Sequence, residues 1–185
     1  MGDDPVHHTL RKIAEKLDSL GISYTVAGGM TLGAHHFVQA TVDVDILVSA
    51  ANLKAIHDNL DGRGFVPPFE GSRNLRDVET GVRIEFIVEG QFPGDGKPKP
   101  VAFPDPAQTS EVINGIRYLR LTTLVELKLA SGMTNPGRLR DLADVQELIR
   151  VLQLPKDFAH QLNPFVRPKF EELWQALADN PPQDV

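Results

Sequence analysis

The chain has 185 residues, 41% of them hydrophobic and 24% charged, with a formal net charge of −6 and no cysteine. That length suits one domain, or a core with a small helical appendage, and it buries a real hydrophobic core without staples. The missing cysteines exclude disulfide frameworks, thiolate zinc sites and cysteine nucleophiles, and the acidic balance argues against broad, nonspecific coating of nucleic acid.

No stretch is long and apolar enough to span a bilayer. The opening Met1-Gly2-Asp3-Asp4-Pro5 lacks a charged leader followed by an apolar run, so a cytoplasmic location is the expectation. Apolar residues at Leu10, Ile13, Ala14, Leu17 and Leu20 predict a helix over 9–20, stopped by Gly21. Residues 22–27 read as a strand, broken by Gly28-Gly29, and 30–37 as a helix. Residues 42–48 alternate apolar and acidic, the period of a strand. A helix over 51–60 and a short strand at Phe65-Val66 follow, then strands near 75–78 and 82–88. Residues 89–108 are rich in proline and glycine without periodicity and read as a long, mobile surface loop. Asn114-Gly115 between Val112-Ile113 and 116–119 signals a hairpin with a type I′ turn. Beyond Arg120 the pattern is helical: 122–131, 139–152, 157–162 and 168–178, with a frayed tail at 181–185. The expected organisation is an α/β core over 1–120 and a helical region over 121–185, packed on it.

The chemistry-bearing pattern is Gly28-Gly29, thirteen residues, then Asp43-Val44-Asp45-Ile46. On a strand, Asp43 and Asp45 share one face about 7 Å apart, while Val42, Val44, Ile46 and Val48 face a core. Two carboxylates on one face repel each other and become compatible when a cation sits between them. Magnesium suits such oxygen ligands. In Arg83-Ile84-Glu85-Phe86-Ile87-Val88 the same alternation turns Glu85 away from Ile84, Phe86 and Val88. If the two strands are neighbours, three carboxylates meet, an arrangement that holds two metals about 4 Å apart for in-line phosphoryl transfer. Glycines at a strand-to-helix junction let a ligand approach the backbone, and the helix start favours phosphate. An Asp-x-Asp on a strand, taken alone, is more often only a solvated pair.

Ala27-Gly28-Gly29, the spacer and Asp43-Val44-Asp45-Ile46 resemble the signature of the DNA polymerase β nucleotidyltransferase superfamily, with Thr41 two positions before the first acid. The resemblance implies a nucleotidyltransferase fold, a mixed sheet flanked by helices, with a C-terminal helical segment. It implies nucleotidyl transfer from a nucleoside triphosphate with two Mg²⁺ (or Mn²⁺), held by Asp43, Asp45 and, as third carboxylate, Glu85. Gly28, Gly29 and Thr41 would then contact substrate. Leu127-Lys128-Leu129-Ala130 and Arg138-Leu139-Arg140-Asp141-Leu142-Ala143-Asp144-Val145 are similar to the helical segment of the abortive-infection (AbiEii-type) branch, which includes toxins of toxin–antitoxin pairs. That likeness assigns nucleotide contacts to Lys128, Asp141 and Asp144. The acceptor stays open among a tRNA 3′ end, a protein hydroxyl and a small molecule such as an aminoglycoside; the toxin-like segment favours RNA or protein and adds a cognate antitoxin as a partner. Gln39 departs from the pattern, because members often carry a basic residue there.

The residues also admit plainer readings. Lys128 lies on an apolar stripe with Leu121, Leu124 and Val125, from whose edge a lysine can snorkel to solvent. Asp141 and Asp144, three apart on one helix side, can pair with Arg138, Arg140 or Lys128 as well as touch substrate. Asp77 and Glu79 compete with Glu85 for the third carboxylate. His35 and His36 diverge by about 100° on a helix and cannot chelate one metal together. Arg73, Arg76 and Arg83 read as solvated, or as a groove attracting RNA or triphosphate. Phe170, Leu173 and Trp174 read as core of the last helix. Two other functions stay open: a silent nucleotide- or partner-binding module, and a metal-dependent phosphohydrolase.

Overall fold

Helix α1 (Pro5–Ser19) starts before its apolar spacing does, in a computed structural model that describes residues 4–37 and 39–181. Asp4 caps it, accepting from the Val6 amide at 3.3 Å, and Pro5 occupies the first turn, where a missing N–H costs nothing. The readings of the first three residues and of the tail beyond Pro181 lie outside the described residues. Among the described residues no helix is long and apolar enough to cross a membrane. The chain divides into two compact units, Met1–Gly90 with Phe103–Arg120, and Gln91–Ala102 with Leu121–Val185.

The first unit is built on a seven-stranded mixed sheet. Its strands are β1 (Thr25–Ala27), β2 (Asp43–Val48), β3 (Phe65–Val66), β4 (Leu75–Asp77), β5 (Arg83–Val88), β6 (Ser110–Ile113) and β7 (Ile116–Leu119). Their spatial order is β3-β4-β5-β2-β1-β7-β6. Strand β2 runs parallel to β5 and antiparallel to β1, and β1 runs parallel to β7. The β6–β7 turn places Asn114 and Gly115 at φ 50° and 80°, as a type I′ hairpin demands.

One sheet face makes the core. Val44, Ile46 and Val48 of β2 and Ile84 and Phe86 of β5 join Leu10, Ile13 and Leu17 of α1. Ile56 and Leu60 complete this group from α3 (Ala50–Leu60), which Ser49 caps through the Asn52 amide. Each such fully buried side chain stabilises the fold by about 1.5–3 kcal/mol relative to exposure. The odd-numbered acids of β2 and β5 are thereby committed to the other face.

Helix α2 (Gly28–Ala34) differs from its expected bounds at both ends. The glycines form its first turn instead of preceding it. Its end is a Schellman closure: the Phe37 amide donates to the Leu32 carbonyl and the His36 amide to that of Gly33. This forces His36 to φ 70°, where a side chain is disfavoured. His36→Gly is expected to raise stability by about 1 kcal/mol, read as an upward shift of the urea midpoint with unchanged slope.

The second unit contains α5 (Leu121–Thr134), a 3₁₀ turn at Pro136–Arg138, α6 (Leu139–Leu152), a 3₁₀ segment at Lys156–Gln161, and α7 (Arg167–Asp179). The Phe158 and Phe170 rings pack 5.5 Å apart, and the Trp174 indole N–H donates to the Leu154 carbonyl. Phe170 is fully buried, whereas Leu173 and Trp174 are half-buried. The segment read as a structureless loop is organised by one lysine. All three N–H bonds of the Lys99 ammonium are taken, by the Pro93 carbonyl at 2.6 Å, Asp95 Oδ1 at 2.7 Å and the Lys97 carbonyl at 2.8 Å. The Asn135 side-chain amide donates to the Gly94 carbonyl at 3.1 Å. In the first unit, the chain leaving this loop enters a short helix, α4 (Pro106–Thr109), capped by Asp105.

Candidate active site

The β2–β5 register pairs Asp43 with Arg83 and Asp45 with Glu85. In a parallel pair, register partners point to the same side. Asp43, Asp45, Arg83 and Glu85 therefore share one sheet face, opposite the core. The Asp43 and Glu85 side chains are about one-third exposed, so solvent reaches both.

Strand β1 brings the glycines to this cluster. Ala27 is the register partner of Asp45 across the antiparallel β1–β2 pair, so Gly28 follows directly over that carboxylate. A Cβ added to Gly28 would lie 1.9 Å from Asp45 Oδ2 and 2.8 Å from its carboxyl carbon. Gly28 also sits at φ +63°. Both the backbone conformation and the close approach therefore demand glycine. At Gly29 an added Cβ would meet Thr41 Cβ and Oγ1 at 3.1 Å and Gln39 Nε2 at 3.6 Å. The Thr41 hydroxyl donates to the Asp43 carbonyl at 3.2 Å, fixing the entry to β2. Helix α2 is only seven residues long, which leaves little of the dipole a longer helix would offer.

Sequence reasoning read Arg83, with Arg73 and Arg76, as solvated or as lining a groove for RNA or triphosphate, and missed its contact with the acids. Its guanidinium donates to Glu85 Oε1 and lies 3.7 Å from Asp43 Oδ2. The missed signal was its position two residues before Glu85 on the same strand face. Among the described residues, no three acidic or imidazole side chains converge closely enough to hold a metal ion as they stand. The donor set nevertheless suits a hard divalent cation: three carboxylates on one accessible face, with one of the chain's own cations already drawn between two of them.

The competing carboxylate Asp77 lies on the core side. It is fully buried, bonded to Lys12 Nζ at 2.7 Å, Thr9 Oγ1 at 3.0 Å and the Glu79 amide at 3.0 Å. Burial pushes its carboxyl up, but the bonds from Lys12, the Glu79 amide and Thr9 outweigh this and hold it below the usual range. Glu79 joins Lys12 at 3.3 Å. His35, also buried, shares a 2.8 Å hydrogen bond with the Leu119 carbonyl and serves the packing of α2 on β7.

Within the second unit, Lys128, Asp141 and Asp144 do meet. The Lys128 ammonium lies 3.0 Å from Asp141 Oδ1 and 2.8 Å from Asp144 Oδ2. Ser131 donates to Asp141 Oδ2 at 2.6 Å, and the Arg138 Nε–H to the same oxygen at 3.1 Å. Burial raises the Asp141 carboxyl, yet the charge of Lys128, the Ser131 bond and Arg138 together hold it below its ordinary value. Of the readings the sequence left open for Lys128, the ion pair with Asp141 and Asp144 is the one present, at the centre of a buried triad. Ser131, unread in the sequence, stands three residues from Lys128 on the same side of α5.

No protein-family model matches the chain, and no curated protein matches it by sequence. Solved structures do match. The chain aligns with the solution structure of the antibiotic-resistance factor ANT(2″)-Ia at 12% identity and a TM-score of 0.59, covering 96% of this chain and 97% of that one. The crystal structure of ANT(2″)-Ia in complex with adenylyl-2″-tobramycin aligns at 10% identity and a TM-score of 0.55, over 93% and 96%. An antigenic nucleotidyltransferase-like protein from Paracoccidioides brasiliensis aligns at 18% identity and a TM-score of 0.50, over 95% and 94%. At these identities the likeness is one of fold: the chain has the nucleotidyltransferase fold, a mixed sheet flanked by helices.

Proposed function

We propose that the protein transfers a nucleoside monophosphate from a nucleoside triphosphate to a hydroxyl acceptor, with Asp43, Asp45 and Glu85 holding Mg²⁺ or Mn²⁺. The observation that carries this reading is the β2–β5 register, which sets the three acids on one accessible face, with Gly28 packed against Asp45. The bound metal would neutralise triphosphate charge and lower the pKa of the attacking hydroxyl. Gly28 keeps the backbone flush against the Asp45 carboxylate, which fills the space where a side chain would stand. Thr41 holds the start of β2 in place, and with it Asp43. Glu85, partly exposed on the same face, is the acid available to take the acceptor's proton. A bond forms between the acceptor oxygen and the α-phosphorus, the bond to the β-phosphate oxygen breaks, and pyrophosphate leaves. Catalysis of this kind is positioning and charge neutralisation.

The acceptor we propose is a small cationic molecule. The net charge of −6 draws cations and repels nucleic acid, and one structural neighbour holds adenylyl-2″-tobramycin. The toxin reading, with an RNA or protein acceptor and a cognate antitoxin, rests on the Lys128, Asp141 and Asp144 segment alone.

Metal binding is tested first. Mn²⁺ at about a hundred times its Kd is expected to stabilise the protein by about 2.7 kcal/mol, raising the Tm by about 5–10 °C. Asp43→Asn is expected to fold normally and lose that response. A transfer assay with α-labelled triphosphates and a panel of aminoglycosides, RNA and protein then reads the acceptor. No triphosphate binding at millimolar concentration with Mg²⁺ present would sink the enzyme reading and leave a partner-binding module of the same fold.

A further inference from the structure

Arg83 stands where a cation belongs. Its guanidinium bridges Glu85 and Asp43, with the Asp43 contact at 3.7 Å. Neither acid can turn all its oxygens to a divalent ion while it holds this group, and no metal-holding trio exists among the described residues in this arrangement. On the adjacent strand, Arg76 is the register partner of Arg83. Antiparallel partners point to the same side, so the two arginines stand next to each other, Arg76 exposed to solvent. Side by side, two guanidinium groups repel unless each has an anion. Asp43 and Glu85 supply the anions for Arg83.

Building on the metal-site reading above, we propose that Arg83 is the resident counter-cation of the site. A divalent cation displaces it from Asp43 and Glu85, and the released guanidinium forms with Arg76 a subsite for the phosphate oxygens of the triphosphate. The guanidinium fork accepts carboxylate and phosphate with the same geometry, so the exchange replaces one oxyanion partner by another. Metal occupancy and polyphosphate binding are then linked in one order: until the metal arrives, the acids hold the arginine that the phosphates need. The same group is a competitor of the metal and a ligand of the substrate, and these roles have opposite signatures on mutation.

The test is calorimetric titration of the full-length protein and its Arg83→Gln, Arg76→Gln and Asp43→Asn variants. Mn²⁺ alone is titrated first, then inorganic tripolyphosphate with Mg²⁺ in excess. Arg83→Gln is expected to bind Mn²⁺ about three- to tenfold more tightly than the parent, the competition of a half-exposed ion pair being modest. It is expected to bind tripolyphosphate at least threefold more weakly. Arg76→Gln is expected to leave Mn²⁺ affinity unchanged and to weaken tripolyphosphate alone. A residue that merely braced the site would lose Mn²⁺ affinity when removed, so equal or weaker Mn²⁺ binding by Arg83→Gln overturns the proposal. Unchanged tripolyphosphate binding in both arginine variants overturns the subsite. If the parent and Asp43→Asn alike take up no Mn²⁺, the metal-site reading fails and the proposal goes with it. If the parent binds, Asp43→Asn does not, and Arg83→Gln matches the parent, the proposal fails alone.

Discussion

Gly28→Ala is expected to lower stability by about 3 kcal/mol and to abolish the Mn²⁺-induced rise in Tm. Two terms add. A side chain in the left-handed region costs roughly 1–2 kcal/mol, and position 28 sits at φ +63°. The new methyl would also lie 1.9 Å from Asp45 Oδ2, and relieving such an overlap costs roughly 1–3 kcal/mol. The carboxylate has to move, and it is one of the proposed metal ligands. For a chain of this length the Tm should fall by about 6–12 °C. Gly33→Ala is the control from the same helix: nothing lies within 4 Å of its added Cβ, and an alanine in a helix interior gains up to about 1 kcal/mol. Differential scanning calorimetry of both variants, with and without Mn²⁺, checks the pair. A Gly28→Ala protein that melts like the parent and still responds to Mn²⁺ would mean that neither the close approach nor the φ angle matters.

Lys128→Ala is expected to cost about 3–5 kcal/mol, because it strips the shared cation from two buried carboxylates. Asp141 and Asp144 are 8% and 5% exposed, and Asp141 keeps a second cation, the exposed Arg138. The effect has a defined pH dependence. In the parent the Asp141 carboxyl is depressed, so its contribution is complete above the unfolded value of about 3.9. That contribution is lost as pH falls through the lower folded value. Without Lys128, the largest cause that lowers the Asp141 carboxyl is gone and burial raises it, so it protonates at higher pH. The gap between variant and parent therefore narrows as pH falls from the variant's raised value through the parent's lowered one. Urea unfolding at pH 7 and over the acid range reads it. Unchanged stability together with a large loss of triphosphate affinity would overturn the structural role and support the phosphate contact.

The period-two pattern of β2 and β5 made the acid faces legible, because it fixes which side chains turn from the core whatever the partner strand is. What the pattern cannot carry is register. That Asp45 faces Glu85, and that Arg83 reaches both Glu85 and Asp43, follows from a parallel pairing between segments about forty residues apart. The contact of Gly28 with Asp45 depends on a second register, between β1 and β2. The start of α1 was hidden because Asp4 and Pro5 belong to capping, which precedes the apolar repeat. The loop from 89 onward was hidden for a different reason: its order comes from one lysine bonding to backbone carbonyls, and such bonds leave no period in a sequence. The hairpin at Asn114-Gly115 was legible because its geometry is set locally by φ angles that few residues accept.

The position of β1 in the sheet bears on how the chain reaches this fold. β1 lies between β2 and β7, and 93 positions separate Tyr24, just before β1, from Arg117 in β7, whose amide sits 3.5 Å from the tyrosine oxygen. During synthesis at about 5–20 residues per second, one side of β1 stays unpaired for roughly 5–20 seconds. An open strand edge of that kind templates wrong pairings. Only three residues long, β1 offers few groups for another chain to join, and its brevity protects the nascent protein while it waits for β7 to emerge.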